Sequence, residues 1–182
     1  ETGVYEFYSK IIKNIPKVKI ILYNFEKLSG FKFEVNFVKK LVDAFPKNIV
    51  GCKDSTYNLY ENLKIKDFLI FPGDESKLLK GLEIGCSGCI SAIANVTHKL
   101  AREVFDNFEK NKPQNLNEKL IMVRHAFDNY NLISALHSYM SAQNLKFKNL
   151  LPPLTLLNSK DNKELLKKLE TLKFGIKKNI AA

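Results

Sequence analysis

Short apolar runs alternate with amphipathic stretches along residues 1–110. Apolar runs of the kind that form buried strands predict β-strands at residues 18–24, 48–53, 67–72 and 88–94. Apolar residues three and four apart predict helices at residues 4–14, 33–45, 58–64, 76–84 and 98–110. Such alternation of strand and helix is typical of an α/β protein with a parallel sheet.

The strand pattern ends near residue 112. Further helices are predicted at residues 116–129, 132–144 and 161–174, with an extended Pro-Pro segment at 150–157. We therefore divide the chain into βα units over residues 1–112 and a C-terminal helical extension over residues 113–182. The βα units fit either an open doubly wound sheet or half of a (β/α)8 barrel, which typically needs about 250 residues. The pattern alone leaves both architectures open.

The charge and cysteine content narrow the class of protein. The 182 residues carry a formal net charge of +10, but the lysines are spread over almost every segment, which disfavours a nucleic-acid partner. No apolar run reaches the roughly 18 residues of a membrane span, and no signal peptide is evident, so we expect a cytoplasmic protein with no membrane partner. Three cysteines, an odd number, disfavour a secreted disulfide framework. The Cys86-x-x-Cys89 pair lacks a second pair for zinc, and structural roles are favoured.

Two chemically useful side chains end neighbouring predicted strands, Tyr23 and Lys53. Catalytic groups of parallel α/β barrels lie at the C-terminal ends of strands. Gly51 shares a face with Lys53 and leaves room beside its stem, and partial removal from water favours the neutral, nucleophilic amine. A neighbouring phenol could then move protons. The alternative is a solvated loop lysine paired with Asp54, with the tyrosine serving the core.

Five motifs along the chain resemble the dihydrodipicolinate synthase / N-acetylneuraminate lyase family, in the family's order and at matching spacing. They are Tyr23-Asn24-x-x-x-x-Ser29-Gly30, Ile49-Val50-Gly51-Cys52-Lys53-Asp54-Ser55, Pro72-Gly73-Asp74-Glu75, Gly85-x-x-Gly88-x-Ile90-Ser91-x-x-Ala94-Asn95 and Pro152-Pro153-Leu154-x-x-Leu157. The resemblance implies the C-terminal half of a TIM (β/α)8 barrel, strands 5–8, followed by a C-terminal helical extension. It also implies a class I, Schiff-base pyruvate aldolase that needs no cofactor and no metal.

The resemblance assigns roles to particular residues. Lys53 matches the lysine that forms an imine with pyruvate, and Tyr23 matches the tyrosine of the proton relay. Its substrate-binding positions correspond here to Ser29, Gly73, Glu75, Ile93 and Asn95. The implied partners are pyruvate, an aldehyde and further copies of the chain, as a tetramer or dimer.

Departures from the family shape the substrate prediction. Leu28 stands where the dihydrodipicolinate-forming synthases typically hold a carboxylate-binding arginine, and Glu26 replaces the family's proline. Glu26 bears on the local turn, whereas Leu28 disfavours dihydrodipicolinate synthesis. Leu28-Ser29-Gly30 resembles the sugar-acid lyases and Lys53-Asp54-Ser55 resembles archaeal 2-keto-3-deoxygluconate aldolases, so we predict cleavage of a 2-keto-3-deoxy sugar acid such as 2-keto-3-deoxygluconate. A non-catalytic relative that binds keto acids is a further alternative. The resemblance begins just before the family's fifth strand, so we expect a fragment of a longer chain or one component of a divided barrel.

Overall fold

The computed structural model describes residues 1–175. The chain falls into two compact units, Glu1–Ile90 and a second that begins at Ser91. The first unit contains strands β1 (Ile20–Asn24), β2 (Ile49–Asp54) and β3 (Leu69–Pro72). Its helices are α1 (Thr2–Asn14), α2 (Glu26–Ser29), α3 (Val35–Ala44) and α4 (Leu78–Glu83), with a 3-10 turn at Glu75–Lys77. The described part of the second unit contains α5 (Ala94–Glu109), α6 (Asn117–Ala126), α7 (Leu132–Ser141) and α8 (Ser159–Thr171), with a 3-10 turn at Leu145–Lys148.

The three strands form one parallel sheet in the order β1–β2–β3. Tyr23 lies opposite Lys53 in the register, and Lys53 lies opposite Phe71. The prediction of a parallel α/β architecture is confirmed. The register also brings the carboxyl ends of the strands to one edge of the sheet, where each strand is followed by a loop.

One face of the sheet is buried in the core of the first unit. Side chains alternate between the two faces of a strand, so Leu22, Cys52 and Ile70 share this buried face. Helix α3 presents a stripe of apolar residues to the same core, as the spacing of a helix requires. The stripe consists of Phe37, Val38 and Leu41.

The segment predicted as the fourth strand, residues 88–94, does not form one, so that prediction is wrong. The amides of Ser87 and Ile90 donate hydrogen bonds of 2.8 and 3.1 Å to carbonyls of β3. Those donors are three residues apart, whereas their acceptors are only two apart, so a regular parallel ladder cannot continue. Gly88 takes up the extra residue with a φ of 138°, which a side chain would oppose.

The short helix predicted at residues 58–64 is also wrong, because this segment forms turns. One helical hydrogen bond is present, from the Leu63 amide to the Leu59 carbonyl at 2.7 Å. Just before it, Tyr57 adopts a left-handed φ of 64°, and the Asp54 carboxylate holds the amides of the loop. A helix this short gains little on its own, so these side-chain contacts decide the backbone path.

The described helices of the second unit have their own core. Each of the three helices predicted beyond residue 112 is present, with shifted ends. Asn131 and Asn158 begin α7 and α8 and accept hydrogen bonds from amides of the first turn, the usual role of asparagine at a helix start. The buried core consists mainly of Ile93, Val123, Phe127, Ala135, Leu165 and Leu169. The proposed division at residues 112 and 113 stays a prediction.

No helix within residues 1–175 combines the length and apolar composition that a membrane crossing requires.

Candidate functional site

Lys53 and Tyr23 meet at the carboxyl edge of the sheet. They are register partners on neighbouring parallel strands, and the Lys53 Nζ lies 4.1 Å from the centroid of the Tyr23 ring. Lys53 is half-buried, while Tyr23 is 43% exposed. A lysine ammonium over an aromatic face is attracted electrostatically by the ring. The structure therefore brings the two predicted catalytic residues into direct contact.

The face around this pair is apolar and partly open. Ile21 and Leu69 lie on it one row below Tyr23 and Lys53, and both are exposed by about two-fifths of their surface (43% and 42%). Phe25 places its ring 5.8 Å from the Tyr23 ring, in a tilted arrangement. An amine at the edge of such a face has few competing polar groups on the strands beside it.

Asp54 does not lie on the same face as Lys53. It is fully buried and points to the opposite side of the sheet, as the period of two requires. Its carboxylate oxygens accept five hydrogen bonds, one from the Asn24 side chain and four from backbone amides. The amides belong to Thr56, Tyr57, Leu59 and Tyr60. The carboxylate thus anchors the loop after β2.

Gly73 and Glu75 belong to the loop after β3, next to the loop that follows Lys53. The Gly73 amide continues the strand pairing by donating to the Asp54 carbonyl at 2.9 Å. A Cβ on Gly73 would meet the Ser55 hydroxyl and lie 3.1 Å from the Ser55 Cα, so the close approach of the two loops favours glycine here. Glu75 is fully buried beneath this edge.

The acidic groups of that loop influence a neighbouring thiol. Burial, together with the negative charges of Glu75 and Asp74, raises the pKa of Cys89 to about 12. Cys86 is buried, and burial raises the pKa of its thiol as well. Both thiols are therefore held protonated near neutral pH and lack the thiolate character of a nucleophilic cysteine. Within residues 1–175, no three His, Cys, Asp or Glu side chains are grouped as a metal site.

Ser29, the last residue of α2, uses its hydroxyl locally. Its oxygen accepts from the Phe31 amide, and its single hydrogen lies within reach of the Phe31 and Phe25 carbonyls, at 2.9 and 3.1 Å. These contacts shape the loop after β1, on which Leu28 is 74% exposed. The hydroxyl thus supports the loop, and a role in substrate binding stays a prediction.

The other two predicted substrate-binding residues belong to the second unit. Ile93 is fully buried in its helical core and directly precedes α5. Asn95 lies in the first turn of α5, where its side-chain amide donates to the Ala92 carbonyl at 2.8 Å. Their roles stay predictions.

Two asparagines on the opposite side of the sheet from the pair, Asn24 and Asn58, were not predicted as site residues. Asn24 is fully buried and bonds to both Asp54 and Asn58. A signal was available, because Asn24 follows Tyr23 in the chain just as Asp54 follows Lys53. Polar residues on the core side of two apolar strand ends indicate a buried hydrogen-bonded pair.

The sheet and the lysine–tyrosine contact define a parallel α/β protein with a lysine-centred candidate active site at the carboxyl edge. The model of the Dihydrodipicolinate synthetase family matches residues 1–172. The chain therefore belongs to that family, as its motifs predicted.

Curated relatives of this chain are named 4-hydroxy-tetrahydrodipicolinate synthase. The one from Hydrogenobaculum sp. is 36% identical over 107 residues, which are 57% of this chain and 36% of the relative. The one from Acaryochloris marina is 28% identical over 119 residues, which are 63% of this chain and 40% of the relative. The similarity therefore spans well under half the length of either relative.

Solved structures share the fold over nearly the whole chain. A prophage protein of the dihydrodipicolinic acid synthase family from E. coli, solved in complex with pyruvate, has a TM-score of 0.83 at 18% identity, covering 95% of this chain and 62% of that one. The 4-hydroxy-tetrahydrodipicolinate synthase from Methylacidiphilum fumariolicum SolV has a TM-score of 0.81 at 21% identity, covering 94% and 59%. At these identities the likeness establishes the fold alone.

Proposed function

We propose that this chain carries the imine-forming half of a class I, pyruvate-dependent aldolase or lyase. The observation that carries the proposal is the 4.1 Å contact between the Lys53 Nζ and the Tyr23 ring at the carboxyl edge of a parallel sheet. Membership of the dihydrodipicolinate synthetase family supports it. Catalytic groups of parallel barrels gather at this edge.

In the proposed reaction, Lys53 acts as the nucleophile. Its neutral amine attacks the keto carbon of pyruvate, and the resulting carbinolamine loses water to give an imine. The phenol of Tyr23 carries protons to and from the carbinolamine oxygen as it forms and collapses. The imine nitrogen withdraws electrons, so the pyruvate methyl carbon can lose a proton and bond to an aldehyde, or the reverse.

We further propose that the described strands occupy the later half of a (β/α)8 barrel. β1, β2 and β3 would correspond to strands five to seven, and the irregular segment beside β3 to strand eight. Coverage of about 60% of the solved relatives supports a partial barrel. The helices after α5 would then form the family's C-terminal extension, and further copies of the chain would complete an oligomer.

The substrate assignment now favours synthesis over cleavage. The relatives from Hydrogenobaculum sp. and Acaryochloris marina are both named 4-hydroxy-tetrahydrodipicolinate synthase, which supports condensation of pyruvate with the aldehyde of that reaction. This reverses the preference drawn from the sequence for 2-keto-3-deoxygluconate cleavage. One observation still favours the sugar acid, because Leu28 is exposed and offers no charge to a substrate carboxylate.

Borohydride trapping tests the imine directly. Incubation of the full-length protein with pyruvate and borohydride should add the mass of reduced pyruvate to the peptide that contains Lys53. Lys53→Ala should abolish that adduct. Lys40→Ala is the matched control, because Lys40 also lies over a tyrosine ring, 5.3 Å from the centroid of Tyr5. If wild-type protein gave no adduct, as expected of a non-catalytic relative, the proposed function would be wrong.

The substrate question needs a second assay. Full-length protein is given either pyruvate with the aldehyde of the synthase reaction, or 2-keto-3-deoxygluconate alone. The proposal expects 4-hydroxy-tetrahydrodipicolinate in the first reaction and no free pyruvate in the second. Pyruvate release in the second reaction alone would instead assign the sugar-acid lyase.

A further inference from the structure

A buried hydrogen-bond cluster lies directly behind the lysine–tyrosine pair. Asn24 follows Tyr23 and Asp54 follows Lys53, and Asn24 and Asp54 are themselves register partners. Both are fully buried, on the face opposite to the pair. The Asn24 Nδ2 donates to the Asp54 Oδ1 at 2.8 Å, so a side-chain bond joins the ends of β1 and β2.

Asn58 and Phe33 extend this cluster. The Asn24 Nδ2 also donates to the Asn58 Oδ1 at 2.7 Å. The Asn58 Nδ2 donates to the Phe33 carbonyl at 2.8 Å, and the Asn24 Oδ1 accepts from the Phe33 amide at 3.0 Å. The two asparagines therefore hold both polar backbone groups of Phe33, in the segment that leads into α3. We call Asn24, Asp54 and Asn58 the strand-end clamp.

The strand-end clamp also fixes the loop after β2. Asp54 holds four amides of that loop, while the Asn24 carbonyl accepts the Ser55 amide at 2.8 Å. Buried polar networks with their bonds made are rigid, because breaking one bond leaves a desolvated group without a partner. Asn24 and Asp54 therefore cannot shift without moving Tyr23 and Lys53, which directly precede them in the chain.

We propose that the strand-end clamp positions Lys53 and Tyr23 relative to each other for imine formation. The inference rests on the proposed function of these two residues. The clamp residues are positioning residues rather than catalytic ones, because their side chains lie on the far face of the sheet. Displacement of a reacting group by about 1 Å can cost about a hundredfold in rate, so a small slip at the strand ends has a large effect.

Asn58→Ala tests the proposal in the full-length protein, because it removes one bond to Asn24 and one to Phe33. We expect the maximal rate of pyruvate trapping on Lys53 to fall about tenfold or more. The pyruvate concentration for half-maximal trapping should stay within about twofold, because no group that faces the substrate is removed. Asn62→Ala is the matched control, since Asn62 is exposed and bonds only to the Asn58 carbonyl among these residues.

A second readout needs no pyruvate. Acetylation of Lys53 by a small uncharged reagent reports how exposed its amine is rather than how well it is aligned with pyruvate. Measured by peptide mass spectrometry, it should become severalfold faster in Asn58→Ala, because Lys53 is less firmly held against the Tyr23 ring, and stay unchanged in Asn62→Ala. This readout separates the two proposals, because absence of trapping in wild-type protein would reject the function while the acetylation ratio still tests the clamp. Asn58→Ser, which keeps one hydroxyl, replaces the alanine variant if that variant does not fold. Unchanged trapping and acetylation in a folded variant, with only a lower melting temperature, would overturn the positioning role.

Discussion

Tyr23 offers two separate features to Lys53, a ring face and a hydroxyl. The ring face holds the lysine nitrogen at 4.1 Å from its centroid, and phenylalanine would preserve this contact. The hydroxyl alone can carry protons. A substitution that removes only the oxygen can therefore separate the positioning of the lysine from proton transfer.

Tyr23→Phe should lower turnover while leaving borohydride trapping on Lys53 detectable. General acid–base catalysis contributes about 10²–10⁴-fold, so we expect a loss of about a hundredfold or more in kcat. Steady-state kinetics and trapping on the same preparation provide the measurement. Tyr5→Phe is the control, because Tyr5 also carries a lysine over its ring but lies on α1. Near-normal turnover in Tyr23→Phe would remove this hydroxyl from the relay.

The strands show what the sequence could and could not predict at the scale of elements. Alternation identified β1, β2 and β3 because each is a short apolar run between helical stretches. It failed at residues 88–94, where apolar content suggested a strand but Gly88 breaks the ladder. The contact of Lys53 with Tyr23 followed from motif order and strand period. The clamp was not predicted, although the strand period places Asn24 and Asp54 on the core side. The sequence does not show which residues they bond to, because the partners of Asn24 lie 30 and 34 positions away.

Gly51 shows a further limit of sequence reasoning. The sequence suggested room beside the lysine stem, but the structure gives a closer constraint. A Cβ on Gly51 would lie 2.6 Å from the Leu69 carbonyl oxygen, a backbone atom of the neighbouring strand. Glycine is therefore needed for β2 and β3 to pair at this spacing.

Gly51→Ala should destabilise the protein by about 1–3 kcal/mol, the usual cost of forcing an extra methyl group into a packed site. Gly3→Ala is the matched control, since Gly3 lies within α1 and a Cβ there meets no atom within 4 Å. That control should lose no stability, because Gly3 lies in the first turn of α1 and alanine is the better helix former. Denaturant unfolding of both variants provides the measurement. Equal stability of Gly51→Ala and wild type would show that the sheet can widen here without cost.

The whole molecule combines a family fold with departures from it. The first unit carries the candidate catalytic pair on three parallel strands, and the second carries a helical core around Ile93. Sequence motifs were sufficient for the family, because their order survives low identity. They were not sufficient for the substrate, because Leu28 favours a sugar acid whereas the names of the relatives favour dihydrodipicolinate synthesis.

The stability of the whole protein should also depend on pH through the thiol of Cys52, which lies on the face of the sheet opposite to Lys53. Cys52 is fully buried, and burial together with the charge of Asp54 raises its pKa to about 12. The folded state thus keeps a proton that the unfolded thiol, with a pKa of about 8.5, releases more readily. This contribution is fully present below the unfolded pKa and is lost as pH rises toward the folded pKa.

We therefore expect the free energy of unfolding to fall between about pH 9 and pH 12, and to fall less steeply in Cys52→Ala. Denaturant unfolding at several pH values across the lower part of this window measures the slope for each protein. Val38→Ala is the control, because it removes a fully buried side chain that does not titrate. It should lower stability by a constant amount and keep the wild-type slope, because it removes no titrating group. Parallel curves for Cys52→Ala and wild type would mean that the thiol ionises equally in the folded and unfolded chain.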